Sequence, residues 1–400
     1  MKKKKAFVDL IWSVMAVCFL HGVLQLAVYP YINRRLGAEM FGDVLYVLAI
    51  LGIMSPAAGL AANNRRLIDG GKTTENGDYL LAMLPHVILY SCLFLVLCKS
   101  YFSGVGQWLA AILLVVFTLL RFYGDVGYRM SLNYKGYFVY YLVVSAGYVL
   151  GLLLYPLSGS WLLCILLGEA LCLLPSAISG IYWPLKLSPQ WKSVGKQTAL
   201  LSFSYLLSNT VLYLDRLLLQ NLVNGNAVSV YYIASLLGKT AALLITPLNS
   251  VIIGYLSKYR IRINRRNYLR CGIVSIGAGA IIYLCILLVV PIFTRWFYPD
   301  LFDSVMEISS IANLAQILFF IASPLLVIML TFCDSAWQLA VQIAYAAVFI
   351  PACYLGVRIG GVRGFVWGGV ASNLFRLLLV LIVGFVLSKN NGGEEQKDGA

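Results

Sequence analysis

The chain has 400 residues, 61% of them hydrophobic and only 12% charged. A soluble domain lies nearer ~45–50% apolar and ~25% charged, so a soluble globular protein is excluded, and an intrinsically disordered one more firmly. Thirty basic residues against sixteen acidic ones give a formal net charge of +14, which on a polytopic membrane chain belongs to cytoplasmic loops rather than to nucleic acid.

A bilayer-crossing helix needs about 20 apolar residues. Twelve runs meet that need in chain order: 7–31, 42–63, 79–98, 106–128, 136–156, 160–183, 198–222, 228–256, 271–293, 306–332, 335–357 and 363–388. The first follows Lys2, Lys3, Lys4 and Lys5 as a signal peptide would. Its stretch from Leu10 to Asn33 exceeds a ~7–15-residue signal core, and no A-x-A site follows, so it is read as a span. Between Lys135 and Glu169 there is no charge, yet the run is too long for one helix. Pro156 and Gly159 place a turn within Leu154–Trp161. The segment 389–400 is polar and Gly-rich and is read as a disordered tail.

The loops orient the chain. Twenty Lys and Arg fall on the loops that share a side with the N-terminus, and six on the opposite side. The largest cluster is Lys258, Arg260, Arg262, Arg265, Arg266 and Arg270, a headgroup-binding pattern. Both termini are therefore expected in the cytoplasm, with anionic membrane lipids as partners. The nine cysteines show no CxxC or Cys/His spacing, and His21 and His86 are too few for an imidazole-built centre, so no metal is expected. No Walker motif is present. No cofactor is expected, and a transmembrane proton or sodium gradient is the remaining energy source.

A shift of 186 residues lays Phe41–Gly52 on Ala227–Gly238, with Val44/Val230, Tyr46/Tyr232, Leu51/Leu237 and Gly52/Gly238 coinciding. Asn63 then falls on Asn249. Six spans on each side of the loop near 190 make two parallel repeats, a transporter design with the substrate site between the halves. The expected organisation is an N-terminal six-helix lobe at 1–190, a C-terminal six-helix lobe at 191–388 and the tail at 389–400.

Tyr31-Ile-Asn-Arg-Arg-Leu-Gly-Ala-Glu-Met-Phe-Gly42 resembles the R-x-L-G-x-x-x-F-G turn of polysaccharide flippases. These belong to the multidrug/oligosaccharidyl-lipid/polysaccharide exporter superfamily. Leu214–Gln220 with Val230–Ala234 is similar to that family's seventh and eighth helices. Ile350-Pro351 with Gly361–Asn373 is similar to its eleventh-to-twelfth helix turn. The resemblance implies an all-α integral membrane protein, a V-shaped transporter of twelve transmembrane helices in two lobes. It also implies a Wzx-type flippase that moves undecaprenyl-pyrophosphate-linked oligosaccharide to the outer leaflet by ion-coupled alternating access, with polysaccharide polymerase or export machinery as further partners. Cavity residues vary greatly in that family, so site residues are argued from physics.

Ionisable side chains at membrane depth are costly and mark pathways or partners. Arg121, Asp125, Glu169, Asp215, Arg216, Lys239 and Arg376 all fall within spans. A diphosphate crossing a bilayer needs cations, which Arg supplies as a fork and Lys as a point charge. Arg121, Lys239 and Arg376 are the candidates, with Arg34 and Arg35 at the outer mouth. Each could instead neutralise a carboxylate or reach a headgroup, and Arg121 could pair with Asp125 four residues on. Glu169 is the first candidate for coupling, with Asp215, Arg216 and Asp125 for coupling or gating; a hydrogen-bonded structural role is the alternative. Gln25, Asn63 and Asn249 are candidate sugar contacts, against ordinary interhelical bonding. Gly360, Gly364, Gly368 and Ser372 form a small-residue stripe for close packing.

Competing functions are a drug or cation antiporter on the same fold, a major-facilitator transporter and a polysaccharide polymerase or ligase. The third lacks its signature in Arg65–Lys72 and the fourth lacks a large outer loop, so no enzyme is expected.

Overall fold

The computed structural model describes residues 2–70, 73–243, 249, 264–329 and 336–388, with the side chains of 2–7, 242, 243, 336, 338 and 339 outside that description. Lys72, the basic-loop residues Lys258, Arg260 and Arg262, Cys333 and the tail at 389–400 lie outside the described residues. The elements are helices, with no strand among the described residues. Nine helical stretches among them are long and apolar enough to cross a membrane.

The first compact unit is Met1–Gln220. Its helices are α1 (Lys2–Val23), α2 (Tyr29–Leu36), α3 (Ala38–Asp69), α4 (Asn76–Leu97), α5 (Val105–Gly124), α6 (Val126–Met130), α7 (Tyr134–Ser158), α8 (Trp161–Ala170), α9 (Leu173–Ile178) and α10 (Trp191–Leu222). A π-helical turn, Leu24–Val28, joins α1 to α2. The connection expected between the runs at 7–31 and 42–63 shrinks to Gly37 alone, whose φ of +79° is open to glycine. The turn after α7 is likewise shorter than the sequence suggests. Helix α7 runs through Pro156, and Gly159 closes it at φ +61°.

Helix α3 is the centre of this unit, with 78% of its most apolar stretch buried. Its run Ala57, Ala58, Gly59, Ala61, Ala62 lets α5 approach closely. A Cβ on Gly59 would stand 2.5 Å from the Leu119 carbonyl oxygen. Such small faces are how membrane helices gain contact without a hydrophobic driving force between them. Helix α7 packs on α1 and α8, and a Cβ on Gly147 would come within 2.7 Å of the Leu167 oxygen.

Two spans are broken inside the unit. The run at 106–128 breaks at Asp125, between α5 and α6. The run at 160–183 breaks at Leu171–Cys172, between α8 and α9. Pro175 explains the second break, because it has no N–H to donate to Leu171 four residues earlier.

The second unit is Asn221–Ala400. It contains α11 (Gly225–Leu243), α12 (Arg265–Phe297), α13 (Phe302–Met329) and α14 (Ala336–Leu387). Helix α14 turns at Gly360 and Gly361, whose backbone leaves the helical region. The runs at 335–357 and 363–388 therefore share this one element. The small-residue stripe packs its two halves together: a Cβ on Gly368 would lie 2.6 Å from the Ala352 oxygen, and one on Gly364 would collide with the Gly356 carbonyl. Gly360 belongs to the turn, and Ser372 donates to Gly368 O at 2.7 Å. Gly364→Val is therefore expected to destabilise the protein by about 3 kcal/mol, because a backbone carbonyl cannot step aside as a side chain can. A thermal melt in detergent measures this, and an unchanged midpoint would show the halves are free to part.

Asn313, fully buried on α13, clamps α11. Its amide nitrogen donates to Ala234 O at 2.7 Å, and its carbonyl oxygen accepts from Gly238 N at 2.9 Å. The side chain thereby takes the place of one turn of helical hydrogen bonding. Tyr268 ties α12 to α14 by donating to Val380 O at 2.9 Å.

Candidate functional site

Both broken spans carry buried charge at or beside the break. Arg121, one turn before the end of α5, donates from Nε to Glu169 Oε2 at 2.5 Å. Tyr148 of α7 donates its hydroxyl to Glu169 Oε1 at 2.6 Å. The Arg121 guanidinium also lies 4.1 Å from the centroid of the Phe122 ring. Arg121 and Glu169 are 8% and 3% exposed, so each neutralises a charge that the bilayer interior would otherwise penalise.

The i,i+4 pairing of Arg121 with Asp125 is not what forms. The Arg121 guanidinium is taken by Glu169 of α8. Asp125 is held by Asn63 instead, which donates from Nδ2 to Oδ1 at 2.6 Å, and by Tyr141, which donates to Oδ2 at 2.9 Å. Asn63 Nδ2 also reaches Phe122 O at 2.9 Å, and its Oδ1 accepts from Arg129 Nη1 at 2.9 Å. Asn63 is wholly buried and its amide is engaged on both atoms within the protein. Two neighbouring polar clusters thus form in this unit, one joining α5, α7 and α8 and the other joining α3, α6 and α7 at the end of α5.

Tyr141 and Tyr148 are site residues that the charge inventory misses. A signal existed: Tyr137, Tyr140, Tyr141 and Tyr148 fall at helical spacing on one face of α7, and all four are buried.

Gln25 lies half-buried in the π turn of the first span. Tyr29, just beyond it, is within electrostatic range of Arg121, Glu169 and Arg216. Asp215 is buried and its Oδ1 accepts from the Arg216 backbone N at 2.8 Å. Arg216 lies over the Tyr213 ring at 5.1 Å. Helix α10 is fastened to α3 and α4 by Tyr90–Ser202 at 2.9 Å, Asn64–Tyr205 at 2.6 Å and Asn209 donating to Ile53 O at 3.3 Å. Arg34 and Arg35 are exposed at the end of α2, Arg35 over the Tyr31 ring at 5.3 Å.

In the second unit Arg376 is 2% exposed. It lies 3.9 Å from the Phe319 ring centroid and 5.5 Å from that of Tyr345. Its Nη1 donates to Phe319 O at 3.3 Å, and its Nε finds no hydrogen-bond partner among the described residues. No carboxylate pairs with it among them. Lys239 lies 5.2 Å from the Tyr231 ring, whose hydroxyl accepts from Gln316 at 3.2 Å. Asn249 donates to Ser323 Oγ at 3.0 Å. The structure thus gathers Arg121, Glu169, Asp125 and Asn63, and places Arg376, Lys239 and Asn249 in the other unit. Among the described residues no group of three His, Cys, Asp or Glu is placed to hold a metal ion.

No protein-family model matches the chain, and no curated protein matches it. Solved structures do. A multidrug resistance MATE family transporter of the MOP superfamily, inward-facing, superposes with a TM-score of 0.68 at 16% identity, over 91% of this chain and 94% of that one. An outward-facing structure titled in the same words gives a TM-score of 0.67 at 15% identity, over 95% of each. A Vibrio cholerae MATE transporter, VcmN, gives 0.63 at 14% identity, over 96% of each. The chain has the fold of MATE transporters.

Proposed function

We propose that the chain is a flippase for a polyprenyl-pyrophosphate-linked oligosaccharide, with undecaprenyl as the lipid, working by alternating access in a bacterial cell membrane with both termini inside. The observation that carries this reading is Arg376. A guanidinium buried under two aromatic rings, without a carboxylate among the described residues, is a group suited to an anionic cargo. Lys239, 5.2 Å from the centroid of the Tyr231 ring, adds a second cation in the same unit. The MATE-like fold supports a transporter, and two parallel repeats with a substrate site between them are the design this reading adopts. In this reading the lobes are 1–190 and 191–388. Cargo passes with its diphosphate on cations and its tail in lipid. Glu169 takes part in coupling through Arg121, and surface-polysaccharide polymerase or export machinery receives the product.

The second reading is a drug or cation antiporter, favoured by the names of the structural neighbours and by the tyrosine-lined α7. Deletion of the gene separates the two. Accumulation of a lipid-linked oligosaccharide with loss of surface polysaccharide supports the flippase. Unchanged polysaccharide with increased sensitivity to cationic drugs overturns it.

A further inference from the structure

Helices α4 and α10 enclose a groove of about 290 Å³ at the end of the first unit where both helices begin. Its apolar side is formed by Leu81, Ala82 and Pro85, and its polar rim by His86, Lys192 and Lys196. Lys192 and Lys196 are four apart, so they stand one above the other on the same face of α10, and both are exposed. No acidic residue among the described residues lines the groove. Gly195 sits between them, and a Cβ placed there would meet nothing within 4 Å.

The walls are pinned at both ends. Toward the helix starts, Gly77 N donates to Lys186 O at 3.0 Å and Ser188 N donates to Asp78 Oδ1 at 2.8 Å. Asp78 Oδ2 accepts from Glu75 N, so this carboxylate is turned away from the groove by its own bonds. Deeper in, the buried Tyr90 hydroxyl and Ser202 Oγ meet at 2.9 Å. Two helices fixed at both ends leave a notch whose width does not depend on an occupant. Beyond it, Leu84, Ile88, Leu200 and Phe203 are exposed on the same two helices, at membrane depth. Trp191, at the rim and partly exposed, marks the headgroup level.

We infer that this groove binds the phosphate of an anionic membrane lipid, with Lys192 and Lys196 on the phosphate and the acyl chains along the apolar side. A basic notch with no acid, open to lipid rather than closed over water, suits a phosphodiester carrying a hydrocarbon tail. The loops at this end hold most of the basic residues, which makes it the cytoplasmic leaflet. The inference requires only that the helices cross a bilayer, and it stands whether the cargo is a lipid-linked sugar or a drug.

The test uses the full chain in nanodiscs with brominated phosphatidylglycerol or brominated phosphatidylcholine as quencher. The protein has eight tryptophans, so the signal of Trp191 is taken as the difference between the wild type and Trp191→Phe. Phosphatidylglycerol is expected to quench that signal at about tenfold lower mole fraction than phosphatidylcholine. Lys192→Gln/Lys196→Gln is expected to erase the preference, and Gly195→Leu to weaken quenching by both lipids by filling the groove. Equal quenching by the two lipids in the wild type overturns the inference, as does a preference that survives loss of both lysines. Displacement of the lipid by millimolar inorganic phosphate would show a free-anion site and overturn the lipid assignment. A normal melting temperature in each variant excludes unfolding as the cause.

Discussion

Arg121→Leu is expected to lower the folding stability of the detergent-solubilised protein by about 3–5 kcal/mol, because removing one partner of a buried ion pair leaves the other charged and unpaired. The stranded group is Glu169, 3% exposed and left with the Tyr148 hydroxyl. One neutral donor does not replace a guanidinium. Glu169→Leu should cost a similar amount for the mirror reason, leaving Arg121 with the Phe122 ring. The double variant Arg121→Leu/Glu169→Leu should recover most of the loss, since paired removal of both charges is often neutral. The coupling energy from this double-mutant cycle is the measurement. Additive losses would mean that the pair does not act as a unit. If the double variant folds normally yet does not transport, the pair serves the transport cycle and not only the fold.

The spans were legible because composition and length alone constrain helices in lipid. Nine helical stretches among the described residues are long and apolar enough to cross a membrane, while the runs at 228–256, 306–332 and 335–357 pass in part out of the described residues. The run on helix α10 is the least apolar of the twelve, since Ser202, Ser204, Ser208, Asn209 and Thr210 interrupt it. What was not legible is how charges pair. The sequence offered Asp125 to Arg121 by spacing, but spacing along one helix does not show which partners on other helices compete for the same side chains, here Glu169 for Arg121 and Asn63 for Asp125. Glu169 reached Arg121 from 48 residues away, a contact that depends on how α5 packs on α8. The same holds for Asn63. Its place in the repeat drew attention to it as a sugar contact, whereas the structure places it as a bridge between Asp125 and Arg129. Gly364 and Gly368 were legible because small residues at four-residue spacing have one physical use on a membrane helix.

Arg376→Met is expected to have the opposite effect on stability from Arg121→Leu and a larger effect on transport. Arg376 carries a charge at 2% exposure with no carboxylate among the described residues. Desolvating such a charge costs several kcal/mol, and its attractions here are two ring faces and one carbonyl. Replacing it with an apolar side chain of similar length should raise stability by roughly 1–4 kcal/mol, while transport of an anionic cargo falls at least about tenfold, the scale of one lost charged hydrogen bond. Arg376→Lys should retain part of the transport, because it keeps the charge but loses the planar fork and its stacking on Phe319. The two readouts are unfolding in detergent and flipping in proteoliposomes. A stability gain with transport lost is the signature of a group kept for function at the expense of the fold. A loss of stability like that of Arg121→Leu would instead mean that Arg376 is held by a partner and is structural, and the flippase reading would lose the residue on which it rests.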